Sequence, residues 1–403
     1  MSEGRDDGYK RFTAELDAEA PKTKDELQIG IALSGGGLRA AVFHLGVLGR
    51  LADEGLMESV SMISTVSGGS LAAGLIHTLS SNVWPSSEAY LKDVLPEARR
   101  LITTKDLQIA SILRLLRSPS RLLAPSRWAN VLADTLKDLW GVNGLVRDLP
   151  ERPRWISNAT TYEKGKNWRF MHHRMGDYQS AQVFNPPVPV ADSMAASAGF
   201  PVLIGFLELD TSDYEWRQYL EGSRSETRPH QPAHRKLHLW DGGVYDNLGV
   251  EALIKPIEGF RPGFNFLVVS DASTALDEGK GYKLSRQARR LLSISMDQVR
   301  SLRSRIVFHH FSRHPGSGVY LLMARTARSA LEAAKVPKGD INEVVAGCMP
   351  DEEAGQAARY PTTLRKMSES DFDLLYSHGW QIADCNLRAH RPDIFRLVTG
   401  QSS

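Results

Sequence analysis

Leu27–Leu38 reads LQIGIALSGGGL, and its reading decides the fold. The run LQIGIALSG is short and apolar, carries β-branched Ile29 and Ile31, and breaks on Gly35-Gly36-Gly37. That is how a buried strand ends in a tight turn. Beyond the glycines, Leu38, Ala41, Leu45, Leu48 and Ala52 recur at helical spacing, and Gly55 stands where a helix C-terminal glycine would. Val60–Val66 (VSMISTV) predicts a second strand, followed by Ser67-Gly68-Gly69-Ser70 and the apolar LAAGLIHTL. Two strands joined by one helix are parallel, with a right-handed crossover. The fold class is therefore α/β.

Outward from this unit, residues from about 85 to 150 are rich in Leu, Arg and Lys with Ser-Pro punctuation, and predict a helical insertion. Strands return at RWISNATTY, NWRFMHH, FPVLIGFLEL and KLHLW, with a polar loop from Thr211 to Arg235. A strand at Phe266–Val269 ends on Ser270-Asp271; amphipathic helices from Leu284 to Ile306 and a strand at Val319–Ala324 follow. Ser368 with Asp371 marks the start of a helix that should end near Gly379. The division expected is a polar tail over 1–26 and one domain over 27–403. That domain carries the insertion and a mainly helical extension from about 276 to 403.

Across 403 residues, 42% are hydrophobic and 24% charged, which suits a large globular core. A net charge of +2 argues against nucleic acid as a partner. Cys348 and Cys385 are too few for a disulfide framework and lack zinc-ligand spacing, which points to a reducing compartment without a structural metal. The first 26 residues lack the apolar stretch of a signal peptide. Val188–Leu207 is interrupted by Pro189, Asp192 and Pro201, so no membrane span is expected. Cytoplasmic placement follows, with contact at a membrane surface left open.

Chemistry gathers at three strand ends. Thr65-Val66-Ser67-Gly68-Gly69 is similar to the nucleophile elbow G-x-S-x-G with threonine for the first glycine. The competing reading is that Ser67 or Ser70 only caps the helix. Gly35-Gly36-Gly37 can aim backbone N–H groups at an oxyanion or a phosphate, or can be a plain turn. Asp241-Gly242-Gly243 follows KLHLW and offers a carboxylate base; Asp246 is read instead as a helix cap. His238 is an odd number of residues from Asp241 and falls on the opposite strand face. His44 and His77 lie inside helices, and His309, His310, His314 and His378 have no distinctive setting. A serine with a direct aspartate base is the economical reading.

Together these residues resemble the patatin-like phospholipase family, which includes the catalytic domains of cytosolic phospholipase A2. The resemblance rests on Ser34-Gly35-Gly36-Gly37-Leu38-Arg39-Ala40, Val66-Ser67-Gly68-Gly69 and Asp241-Gly242-Gly243. Asn158-Ala159-Thr160 and Ala196-Ser197-Ala198 before Pro201 support it. It implies a three-layer fold with a mostly parallel central sheet and helices on both faces. It also implies Ser67 as nucleophile, Asp241 as general base, the Gly35, Gly36 and Gly37 amides as oxyanion hole, and no metal or organic cofactor. Arg39 matches an arginine that meets a lipid phosphate; the alternatives are solvent or a carboxylate.

The reading that follows is a phospholipase A or lysophospholipase acting on phospholipid or another lipid ester. The alternatives are a carboxylesterase or neutral-lipid lipase on the same scaffold, and a non-catalytic phosphate sensor. For access to lipid, Ile109, Ile112, Leu113 and Leu116 can share one helical face, with Leu122, Leu123 and Trp128 adding apolar surface. Arg114, Arg117, Arg121 and Arg127 add charge around Pro119 and Pro125. Packing of the same helix against the sheet is the competing reading. The oligomeric state is not legible.

Overall fold

The computed structural model describes residues 21–118, 127–177, 181–200, 204–220, 226–274 and 284–395. Its opening unit is the one read above: β1 (Ile29–Leu33), α1 (Gly37–Asp53), β2 (Val60–Thr65) and α2 (Gly68–Leu79), with β1 and β2 parallel. Ile29, Ile31 and Leu33 enter one apolar cluster with α1, α2 and α7 (Glu369–His390), while Ala32 enters a second. β13 (Phe266–Asp271) repeats the alternation, Phe266 and Val268 against Leu267 and Val269. Strands whose successive residues feed two different cores must lie between two helical layers. The second layer includes α6 (Leu284–Arg313), whose Val307 is fully buried.

The central strands β14 (Gly318–Leu322), β13, β1, β2 and β3 (Arg154–Thr161) are parallel. Past β3 the sheet continues antiparallel through β4 (Asn167–Met171), β5 (Arg174–Gly176), β6 (Gln182–Phe184), β8 (Trp216–Tyr219) and β9 (Thr227–Pro229). β10 (Lys236–Asp241) pairs with both β3 and β7 (Leu207–Asp210), and β11 (Ile254–Lys255) forms a separate hairpin with β12 (Gly259–Phe260).

The structure departs from expectation in several places. The loop from Thr211 to Arg235 contains β8 and β9, and in FPVLIGFLEL the described strand is Leu207–Asp210. Strands of three or four residues are too short for alternation to register. The helices expected over Leu284–Ile306 are one helix that continues to Arg313. The helix starting after Ser368 runs through Gly379 to His390. Gly379 serves packing instead: a Cβ there would stand 2.0 Å from the Phe43 carbonyl oxygen, and one at Gly46 would stand 2.0 Å from that of Tyr376. The two glycines let α1 and α7 cross at backbone contact.

In the helical insertion, α3 (Leu107–Leu116) buries Leu107 and leaves Ile109, Ile112, Leu113 and Leu116 between 42% and 61% exposed. It is tied to α4 (Trp128–Trp140) by Ser111–Thr135 and Arg114–Asp138 contacts. Arg127 pairs with Glu208, so two of the expected cations are already neutralised. Trp128 is half-buried. Pro119, Arg121, Leu122, Leu123, Pro125 and Pro201, with the first 20 residues of the tail, lie outside the described residues.

Candidate active site

Ser67 sits between β2 and α2 with φ 49° and ψ −114°, a conformation that residues with a side chain hold only when their surroundings enforce it. Glycine neighbours allow the sharp turn. A Cβ on Gly68 would stand 2.2 Å from the Gly37 carbonyl oxygen, and one on Gly69 would stand 2.4 Å from that of Leu33. The turn therefore presses directly on the end of β1 and the glycine loop. Ser70, the competing serine, is fully buried, with its Oγ 2.7 Å from Thr65 Oγ1 and 2.8 Å from Ser197 Oγ. Thr65 Oγ1 also accepts the Trp155 indole N–H at 2.8 Å, so the threonine that replaces the elbow's first glycine is held in a polar network. Ser67 is half-buried, and its amide donates at 3.0 Å to Ser197 Oγ, at the end of α5 (Val190–Ser197).

Asp241 reaches this turn because of how β3 is shared. β2 pairs with β3 only as far as Thr65 opposite Ser157. β4 occupies the other edge, so β10 takes the place β2 vacates, pairing antiparallel at Ala159 to Thr161 and ending on Asp241 opposite Ala159. The Asp241 amide donates to the Gly199 carbonyl at 3.0 Å, and Thr160 Oγ1 to the Asp241 carbonyl at 2.9 Å. Its side chain is 2% exposed, and Oδ1 accepts the Gly243 amide at 2.6 Å. Burial pushes the carboxyl up to about 7, opposed first by the Gly243 amide and then by a hydrogen bond from the Ser67 side chain. A carboxyl that titrates near neutrality beside a serine hydroxyl can take its proton.

The glycine loop lies against the serine turn: a Cβ on Gly35 would stand 3.2 Å from Ser67 Cβ. Gly36 and Gly37 have φ of 144° and 62°, which only glycine holds easily. The three amides are not equivalent. Gly35 N–H already donates to the Asn247 carbonyl at 3.1 Å, whereas those of Gly36, Gly37 and Gly68 meet no acceptor among the described residues. Of the three amides expected to hold an oxyanion, only that of Gly35 has a described acceptor, and the Gly68 amide resembles the other two in this.

Arg39 lies against the glycine loop, its Nη2 3.0 Å from where a Cβ on Gly36 would stand. It is 4% exposed and donates through Nη1 to the Tyr360 carbonyl at 2.9 Å and through Nη2 to that of Ala272 at 3.1 Å. Burial lowers its pKa to about 10, partly offset by the charge of Asp271. Its described hydrogen-bond partners are thus two backbone carbonyls, with the Asp271 charge nearby and its Nε enclosed without an acceptor. An arginine one turn into a helix can point back under the loop, which composition does not reveal.

His238 pairs with Glu163 at 2.8 Å, as the strand faces imply. His44 is buried between Ser270 Oγ (2.8 Å) and the Ser34 carbonyl (2.9 Å), with its pKa lowered to about 4 by burial. His378 is bonded to the Met323 carbonyl at 2.7 Å. Asp246, read as a cap, accepts the Leu248 and Glu251 amides at 3.1 and 2.8 Å. The carbonyl of the next residue, Asn247, fixes Gly35, and its side chain fills the space between Gly35 and Gly243. Asn158 bridges Ser64 Oγ and the Thr65 carbonyl at 2.9 and 3.0 Å, holding the end of β2. Sequence reasoning gave no role to α6, which brings Met296 against Gly243 and Arg300 onto Asp271 at 3.0 Å.

The sequence model of the patatin-like phospholipases matches residues 31–254, more than half of the chain. No curated protein matches it. Among solved structures, human GIVD cytosolic phospholipase A2 is similar at 16% identity and a TM-score of 0.49, covering 95% of this chain and 62% of that one. Its complex with methyl gamma-linolenyl fluorophosphonate and terbium chloride aligns at 16% identity and 0.48, with the same coverage. VipD from Legionella pneumophila aligns at 14% identity and 0.36, over 91% of this chain and 70% of that one. The chain thus spans less than two thirds of the length of the human structures. With its glycine loop, serine turn and strand-end aspartate all inside the matched segment, the chain belongs to the patatin-like phospholipase family, a family of lipid acyl hydrolases.

Proposed function

We propose that this chain is a serine acyl hydrolase, a phospholipase A or lysophospholipase that cleaves fatty-acyl esters of glycerophospholipids through a Ser67–Asp241 dyad. The observation that supports it most is the strained, half-buried Ser67 next to a buried carboxyl without a counter-charge, which burial pushes up to about 7. Ser67 Oγ attacks the ester carbonyl carbon as its proton passes to Asp241. The Gly36 and Gly37 amides receive the oxyanion, and the N-terminus of α2 favours the negative charge. Collapse breaks the bond to the alcohol oxygen, which leaves with the proton from Asp241. Water, deprotonated by Asp241, then attacks the acyl-serine and releases the fatty acid, the second proton returning to Ser67. Incubation with phosphatidylcholine vesicles should release free fatty acid and lysolipid or its deacylated product, identified by mass spectrometry. Release from soluble esters alone would favour a general esterase.

Lipid access is assigned to α3. Its four apolar side chains at 109, 112, 113 and 116 share one exposed face, and exposed Arg117 follows them. Apolar surface beside a cation suits the interfacial zone of a bilayer. No described helix is long and apolar enough to cross a membrane.

A further inference from the structure

One cleft is lined by neither Ser67 nor Asp241. It has a volume of about 370 Å3 and is lined from β4, β5, β6 and the segment after β10. Four cations face it, Arg169, Arg174, Lys255 and Arg261, against two carboxylates, Glu251 and Asp177. Glu251 takes both Arg169 and Lys255, so one carboxylate is shared by two positive charges. Burial raises the Glu251 carboxyl, and Arg169, Lys255 and Arg303 outweigh it, leaving the pKa below its ordinary value.

Arg174 is the informative member. Its acceptors are neutral and distant, Gln182 Oε1 at 3.5 Å and Tyr219 Oη at 3.3 Å, and its Nε is enclosed without an acceptor. Arg169 Nε is enclosed in the same way. Arg261 pairs with Glu258 at 3.9 Å on the surface, where such pairs contribute little. Guanidinium groups are costly to enclose without an anion and present paired donors at the spacing of phosphate oxygens.

We propose that this cleft binds a phosphomonoester. The excess of two positive charges matches a phosphate dianion, and the volume exceeds what inorganic phosphate alone would fill. The group can belong to a soluble metabolite or to a lipid headgroup, and the two sources are separable. Neither dyad residue lines the cleft, so it is best tested in the Ser67→Ala protein, which cannot turn over lipid by the proposed route.

Glycerol 3-phosphate is titrated calorimetrically. In parallel, vesicles of phosphatidylcholine with and without phosphatidic acid are tested for binding. Saturable binding of glycerol 3-phosphate without any preference for phosphatidic acid identifies a soluble ligand; a preference for phosphatidic acid identifies a lipid one. In either case Arg174→Gln should weaken binding by about tenfold or more, the scale of a lost charge-assisted contact. Arg261→Gln should weaken it as well, and raised salt should weaken the parent. Because Arg174 makes only long bonds to neutral groups, its replacement should leave the melting temperature near that of the parent. Should that variant nonetheless unfold, Arg261→Gln decides alone. Absence of saturable binding to either probe, or binding unchanged in the folded arginine variants, would overturn the proposal.

Discussion

Asp241 and Asp271 are buried aspartates at the ends of β10 and β13, and they are stabilised in opposite ways. Asp271 accepts from Arg300 at 3.0 Å, the Tyr320 hydroxyl at 2.7 Å and the Ser273 amide at 3.0 Å. Asp241 has the Gly243 amide and the Ser67 hydroxyl and no cation among its influences. Burial with a counter-charge makes a structural tie; burial without one makes a base that titrates near neutrality. The difference can be broken residue by residue.

The largest effect is expected on turnover. Ser67→Ala and Asp241→Asn should each lower kcat on the order of ten-thousand-fold, and the double variant should be no worse, because the two act as one proton-transfer unit. Steady-state hydrolysis of a soluble ester measures this. In the parent, kcat/KM should fall about tenfold per pH unit below about 7, since the general base must be ionised.

Stability should divide the pair in the opposite sense. Asp271→Ala leaves a half-buried Arg300 with Asp297 alone and should cost on the order of 3 kcal/mol in denaturant unfolding. Asp241→Asn should instead stabilise the protein at pH 8. A carboxyl whose folded pKa is raised keeps its proton between about 3.8 and about 7 while the unfolded chain has lost it. Its contribution is therefore most favourable below that window and declines through it, leaving the full cost of a buried charge above pH 7. The gain from asparagine should vanish near pH 4. The smallest effect concerns the exposed face of α3. Ile112→Ser with Leu116→Ser should reduce sedimentation with phosphatidylcholine vesicles severalfold and leave soluble-ester turnover unchanged.

The opening βαβ unit was legible because its strands and helices have opposite periods and its glycines fall at the junctions. Asp241 was legible from its strand end, but not the exchange of β2 for β10 along β3 that brings it to Ser67, since pairing between Leu239 and Thr161 is a long-range event. Gly35, Gly36 and Gly37 look alike in sequence; the Asn247 carbonyl and the positive φ of the last two separate the first from the others. The carbonyl partners of Arg39 were not legible, because Ala272 and Tyr360 come from distant segments. The Asp271–Arg300 tie joins a strand end to the middle of α6, where no motif marks either residue.

The central claim is that Asp241 activates Ser67, and the most direct measurement is the rate at which a fluorophosphonate labels the protein as a function of pH, with the modified residue located by mass spectrometry. Label on Ser67, with a rate that rises to a plateau above about pH 7 in the parent and is nearly lost in folded Asp241→Asn, is the expected result. Label on Ser70, or an Asp241→Asn variant that labels at the parental rate, would contradict it.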